Sequence, residues 1–227
     1  DLDIQAFKLA SIHVAEPGFA SHVANTGKPV ILSTGMANLG EIDQTVNAMR
    51  ATGNNDVILL QCTTNYPSLP EDSNLLAMKS MRDAFDILVG YSDHTEGDIA
   101  CVASVALGAK VIEKHFTLDK SLSGPDQSSS SDPKEFARLV QNIKLTESCL
   151  GSGIKHPTKT EIRNAFGMRR SIVAKIDIPA GSELKMDHFT YKRPGTGISP
   201  TLIDHVIGRK AYRSITTDQL IDWSDIE

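Results

Sequence analysis

Five times in the first ~150 residues a short β-rich run is followed by a stretch of helical periodicity. Few folds accept that alternation. The runs are Phe7–Ser11, Val30–Ser33, Val57–Leu60, Ile87–Tyr91 and Lys110–His115. The helical stretches are Pro17–Thr26, Leu39–Met49, Leu75–Phe85, Ile99–Gly108 and Pro133–Leu150. Leu39, Ile42, Val46 and Met49 share one helical face. Ser131-Asp132-Pro133 supplies an N-cap and a first-turn proline. Val57–Leu60 is apolar at every position, which suits a strand in a parallel sheet covered by helices. The expected fold class is therefore α/β, with five β/α units. Five parallel strands cannot close a (β/α)8 barrel. An open doubly wound sheet is the alternative, but no G-x-G-x-x-G opens a helix here.

Past residue 150 the pattern changes. Gly151–Thr160 is rich in Gly, Pro, Thr and Lys and reads as linker, followed by a short helical piece, Glu161–Phe166. Short strands at Ser171–Ala174, at Phe189–Lys192 and near the end of the chain alternate with turns such as Ile178-Pro179-Ala180-Gly181. The expected division is residues 1–150 for the β/α part, 151–167 for the linker and 168–227 for a small second domain. Arg193-Pro194-Gly195-Thr196-Gly197 is a stiff-then-flexible loop presenting an arginine.

Lys and Arg number 23 against 28 Asp and Glu, a net charge of −5. That balance gives no footprint for a polyanion, and aromatics are too scattered for base stacking, so nucleic acid is not the expected partner. No apolar run reaches ~18 residues, so no membrane span is expected. Cys62, Cys101 and Cys149 are an odd number without a C-x-x-C pair. They suit reduced thiols in a cytoplasmic protein. The first residue is Asp1 rather than Met and a strand signal follows at once, so an upstream segment is expected.

The chemistry concentrates at two strand ends, Gly90-Tyr91-Ser92-Asp93-His94-Thr95 and Ile112-Glu113-Lys114-His115-Phe116-Thr117. In a βα-barrel the C-terminal strand ends form the active-site mouth. Side chains alternate along a strand, so Ser92 shares a face with His94, and Glu113 with His115. On neighbouring strands ~4.8 Å apart, two imidazoles can reach one divalent cation. Either histidine alone reads as readily as a helix cap or a packed loop residue. The pair, each with an acid beside it, favours a metal site.

These residues also carry a resemblance. Lys8-Leu9-Ala10-Ser11, Gly27–Met36, Gln61-Cys62-Thr63, Tyr66-Pro67, Gly90–Thr95, Ile112–Thr117 and Gly124-Pro125-Asp126 resemble the N-acetylneuraminate (sialic acid) synthase family. Ser171–Lys175, Lys192-Arg193-Pro194-Gly195 and Gly208-Arg209-Lys210 resemble that family's C-terminal antifreeze-like (SAF) domain, a β-clip-like fold. The resemblance implies a (β/α)8 TIM-type barrel of which the last five units are present. It implies condensation of phosphoenolpyruvate with an N-acylated hexosamine of the N-acetylmannosamine type and water, giving a nine-carbon 2-keto acid and phosphate. It also implies a homodimer in which the SAF domain of one protomer covers its partner's barrel.

By position, the resemblance makes His94 and His115 ligands of Mn²⁺, or else of Mg²⁺ or Co²⁺, acting as a Lewis acid on the sugar aldehyde. Lys8, Ser11, Ser33 and Ser92 match phosphate- and carboxylate-binding positions. Glu113 would order water or move a proton. Tyr66 and Asp126 match sugar contacts, and Arg193 would reach the partner's site. Two departures stand out. His13 occupies a position that is usually acidic, and Gln127 follows Gly-Pro-Asp where many relatives carry histidine. Three other readings stay open: a legionaminate, pseudaminate or spore-coat polysaccharide synthase, a non-catalytic sugar-binding paralogue, and a metal-dependent aldolase using free pyruvate.

Overall fold

In the computed structural model, which describes residues 3–227, the five runs pair side by side in chain order as one parallel sheet. Its strands are β1 (Phe7–Leu9), β2 (Val30–Ser33), β3 (Val57–Cys62), β4 (Leu88–Asp93) and β5 (Ile112–Lys114). The crossovers carry α1 (Pro17–Ala24), α2 (Leu39–Arg50), α3 (Ala77–Phe85) and α4 (Ile99–Ala106), and α5 (Pro133–Leu150) follows β5. Parallel pairing demands such long connections.

The register sorts the strand residues onto two faces. Leu9, Leu32, Leu59 and Val89 stand level on the outer face. They join Ala20, Val46, Met49, Met78 and Met81 of the helices in one buried core. On the inner face Lys8, Ile31, Ile58 and Leu88 form a lower row. Above it lie Ser33, Leu60 and Gly90, then Cys62, Ser92 and Glu113. The inner face thus turns polar toward the C-terminal ends of the strands.

The sheet is strongly curved. β1 and β5 are its two edges, which on a flat sheet would stand ~19 Å apart at ~4.8 Å per strand. Yet Lys8 Nζ lies 3.4 Å from Glu113 Oε1. Only a sheet rolled toward its inner face lets these side chains meet. The architecture is an open, incomplete half-barrel of the TIM type, with the five β/α units that periodicity predicts and the partial barrel that the resemblance implies.

Two strand ends fall short of expectation. β1 stops at Leu9 because Ser11–Ala15 winds into a 3-10 turn. β5 stops at Lys114, so His115 lies one residue beyond its strand, just as His94 lies one residue beyond β4.

The chain divides at Gly153, and a second unit runs from Ile154 on. It opens with α6 (Lys159–Met168). This helix is longer than the expected piece because Thr158 and Glu161 form a reciprocal capping box that starts it early. β6 (Ser171–Ala174) and β7 (Phe189–Lys192) pair antiparallel. Ile172, Leu184, Val206, Ile215 and Ile221 fill a separate core. Among the described residues no helix is long and apolar enough to cross a membrane.

Candidate active site

The site grows from the top of the inner face. Register pairs Ser92 with Glu113, and Ser92 Oγ donates to Glu113 Oε1 at 2.7 Å. Lys8 Nζ approaches the same carboxylate while donating to Leu9 O at 2.9 Å. Ser33 Oγ, on the same face, is buried and has no hydrogen-bond partner among the described residues. Buried hydroxyls are rarely left so. Ser11 Oγ lies 3.2 Å from Thr64 Oγ1 in the neighbouring loop. Gly35 makes that contact possible. Its φ is +41°, and an added Cβ would lie 2.4 Å from Ser11 Cβ and 2.5 Å from Thr64 Oγ1.

His94 is held by its backbone surroundings. Its Nδ1 stands 2.7 Å from Thr63 O. A carbonyl only accepts, so Nδ1 carries the proton and Nε2 is left as the acceptor. Burial disfavours the imidazolium and holds the His94 pKa below its ordinary value, against the opposing effect of the Thr63 carbonyl; the charge of His115 adds to the lowering. The His115 ring meets His94 edge-on with centroids 5.2 Å apart. Tyr66 lies against both, 4.1 Å from His94 and 5.5 Å from His115. Asp126 Oδ2 stands 3.9 Å from His115 Nδ1.

Lys8, Ser92 and Glu113 therefore form one contacting group and His94, His115, Tyr66 and Asp126 a second, with Cys62 between them, level with Ser92 and near His94; Ser33 ends β2, and Ser11 opens the 3-10 turn that follows β1. Arg193 belongs to the second unit, where its Nε donates to Met168 O at 3.1 Å. His13, at the usually acidic position, is paired with Glu16, Nδ1 to Oε2 at 3.0 Å, and its ring lies against Phe19.

The expected Mn²⁺, Mg²⁺ or Co²⁺ centre on His94 and His115 is not supported. Among the described residues no group of three or more His, Cys, Asp or Glu side chains is placed to hold a metal ion. The donors that might complete such a set are engaged or distant. Glu113 Oε1 takes the Ser92 hydroxyl and faces Lys8, and the Asp126 carboxylate stays 3.9 Å from His115. Two imidazoles alone fall short of the three protein ligands usual at a catalytic zinc-type centre.

Sequence reasoning missed Thr63, whose carbonyl sets the His94 tautomer, because a backbone acceptor leaves no mark in residue type. It also left out Cys62. Period-two alternation back from the strand end would have found it, since Cys62 is level with Ser92 on the inner face. Its Sγ lies 3.9 Å from His94 Nδ1, and burial pushes the thiol pKa up, so it rests protonated.

The NeuB family model matches residues 1–155 and the SAF domain model residues 169–227. An uncharacterized protein of Methanocaldococcus jannaschii is 48% identical, over 99% of this chain and 67% of its own length. The N,N'-diacetyllegionaminic acid synthase of Campylobacter jejuni is 43% identical, over 97% of this chain and 67% of its own. A pseudaminic acid synthase of the same organism is 35% identical, over 98% and 64%. The crystal structure of a spore coat polysaccharide biosynthesis protein of Bacillus subtilis superposes with a TM-score of 0.61 at 35% identity, covering 98% of this chain and 67% of that one. A sialic acid synthetase structure from Leptospira borgpetersenii gives 0.67 at 34% identity, covering 71% and 56%. The chain spans about two thirds of the length of these curated relatives. A half-barrel and a small β domain that match these two models in succession make the chain a member of the NeuB family with a SAF domain.

Proposed function

We propose that this protein condenses phosphoenolpyruvate with an N-acylated amino sugar, releasing phosphate and giving a nine-carbon 2-keto acid of the legionaminate, pseudaminate or spore-coat type. The relatives' names favour this range over the narrower expectation of N-acetylmannosamine, because synthases for several sugar acids match the chain. The observation that carries the reading is the cluster itself. In a NeuB-family half-barrel, an ammonium, strand-end hydroxyls and a carboxylate converge beside two imidazoles in ring contact.

Lys8, Ser11, Ser33 and Ser92 bind the phosphate and carboxylate of phosphoenolpyruvate, whose charges reward an ammonium and hydroxyl donors. Ser33 Oγ is a buried hydroxyl with no partner among the described residues, so it can donate to the substrate. Carbon–carbon bond formation joins C3 of phosphoenolpyruvate to the sugar's aldehyde carbon. The aldehyde oxygen takes a proton from solvent and becomes a hydroxyl; water adds at the cationic C2, Glu113 takes its proton, and as the added hydroxyl gives up its remaining proton to solvent the C2–O bond to phosphate breaks, leaving the ketone. His94 accepts a sugar hydroxyl through Nε2. His115 and Tyr66 orient the open-chain sugar, and Asp126 orients His115. Arg193 serves the sugar site of the partner protomer in a homodimer. The Glu16 carboxylate beside His13 replaces the acid the family usually carries at that position.

The test is phosphate release from phosphoenolpyruvate across a panel of N-acylated sugars, alongside His94→Ala. Sugar-dependent release that falls by about 10-fold or more in the variant is expected, the scale of leaving a bound sugar hydroxyl without its acceptor. Sugar binding without release for every member of the panel would instead support the non-catalytic paralogue.

A further inference from the structure

Beneath the two histidines, on the outer face of the sheet, lies a buried charge pair that the chemistry above does not use. Asp93 and Lys114 are register partners, and Lys114 Nζ donates to Asp93 Oδ2 at 2.7 Å. Their side chains are 0% and 3% exposed. Both also grip the same residue. Asp93 Oδ1 accepts from Thr95 N and Thr95 Oγ1, each at 2.9 Å, while Lys114 Nζ donates to Thr95 O at 2.7 Å. Cys101 of α4 adds its thiol to Asp93 Oδ2 at 3.1 Å.

Each charge is the immediate neighbour of a site histidine, Asp93 of His94 and Lys114 of His115. β5 is held to β4 at three register positions, with further backbone bonds from Lys110 N to Val89 O and from Tyr91 N to Val111 O just ahead of the strand. A strand that short is weakly specified by hydrophobic pattern, and its burial is intermediate throughout. A slip of one residue would send Lys114 to the inner face and leave Asp93 buried without its counter-charge, an arrangement strongly disfavoured in a protein interior. On the inner face the same slip would separate Ser92 from Glu113.

We propose that Asp93 and Lys114 are positioning residues: their buried pair locks the β4–β5 register and, by clamping Thr95 from both sides, sets the His94 ring against Thr63 and His115. This deepens the proposed function, since it concerns the placing of the same two imidazoles. Its test does not depend on turnover.

The experiment is long-range ¹H–¹⁵N NMR of the histidine rings in the 227-residue chain, on wild type, Lys114→Met, Asp93→Asn and the core variant Leu139→Ala. Wild type is expected to show His94 as the Nδ1–H tautomer in that spectrum, and a companion ¹H–¹H NOESY to show cross-peaks between the His94 and His115 ring protons. In Lys114→Met and Asp93→Asn we expect loss of those cross-peaks and averaging of the His94 ¹⁵N shifts. Leu139→Ala removes a buried α5 side chain outside the clamp; it loses stability but keeps the wild-type ring spectrum. Wild-type ring spectra in both clamp variants would overturn the proposal, whatever their stability. Should Lys114→Met fail to fold, Asp93→Asn decides, because it keeps the side chain's size and an acceptor for Thr95 while removing the charge. Loss of phosphate release with an unchanged ring spectrum would count against the clamp alone. An altered ring spectrum in a protein that never turns over would count against the synthase reading alone.

Discussion

At the scale of single residues, the environment of His94 makes a prediction about pH. The folded chain holds this imidazole neutral, with its pKa lowered chiefly by burial. As pH falls through the ordinary histidine value of about 6.5, the unfolded chain takes up the proton first. Folding stability therefore declines below that point, and does so until the folded form is protonated too. His94→Gln removes this contribution, so a series of urea midpoints from pH 7.5 to 5 should fall less steeply in the variant. Parallel slopes in the two proteins would show that burial does not shift His94. The residues themselves were legible because alternation puts Ser92 and Glu113 on the inner face and each histidine at a strand end. The metal was not, because ligand number depends on where neighbouring carboxylates point. The sequence places Glu113 beside His115 but cannot show that Ser92 and Lys8 already occupy it.

At the scale of elements, strand and helix existence followed from periodicity, while ends were decided by local hydrogen bonding. Ser131-Asp132-Pro133 marked the start of α5 correctly. Asp132 accepts from Lys134 N and Glu135 N at 2.8 Å, and Glu135 returns a bond to Asp132 N. The same cap follows directly on Ser131, whose N–H donates to His115 O and whose carbonyl accepts from Thr117 N. Asp132→Ala should cost about 1 kcal/mol, the usual worth of such a cap. Because the cap adjoins the segment that ties down the strand end of His115, amide exchange should rise at Thr117 and Ser131 as well as in the first turn of α5. Faster exchange in α5 alone would separate the two. By contrast, the linker reading missed the first turn of α6, where a threonine and a glutamate three residues apart outweighed a composition that reads as loop.

At the scale of the whole molecule, the half-barrel's inner face explains why composition alone could not distinguish an open sheet from part of a closed one. Its lower row carries Ile31 and Ile58, only partly buried, and Leu88, 56% exposed. Such apolar residues suit a barrel interior, and five strands curve without enclosing it. The two units each own a core with no residue in common. Cavity formation acts on the core that loses the atoms, so damage to one should stay within it. Ile221 is fully buried in the second core, and its backbone N–H donates to Ile172 O of β6. Ile221→Ala should destabilise that unit by about 2–5 kcal/mol, the range for emptying a buried isoleucine site. Hydrogen exchange followed by mass spectrometry should accelerate in peptides covering 171–227 and remain unchanged across β1–β5 and α1–α5. Acceleration of equal size in the half-barrel would mean that the chain unfolds as a single cooperative body, and the separate cores would then describe packing without dividing stability.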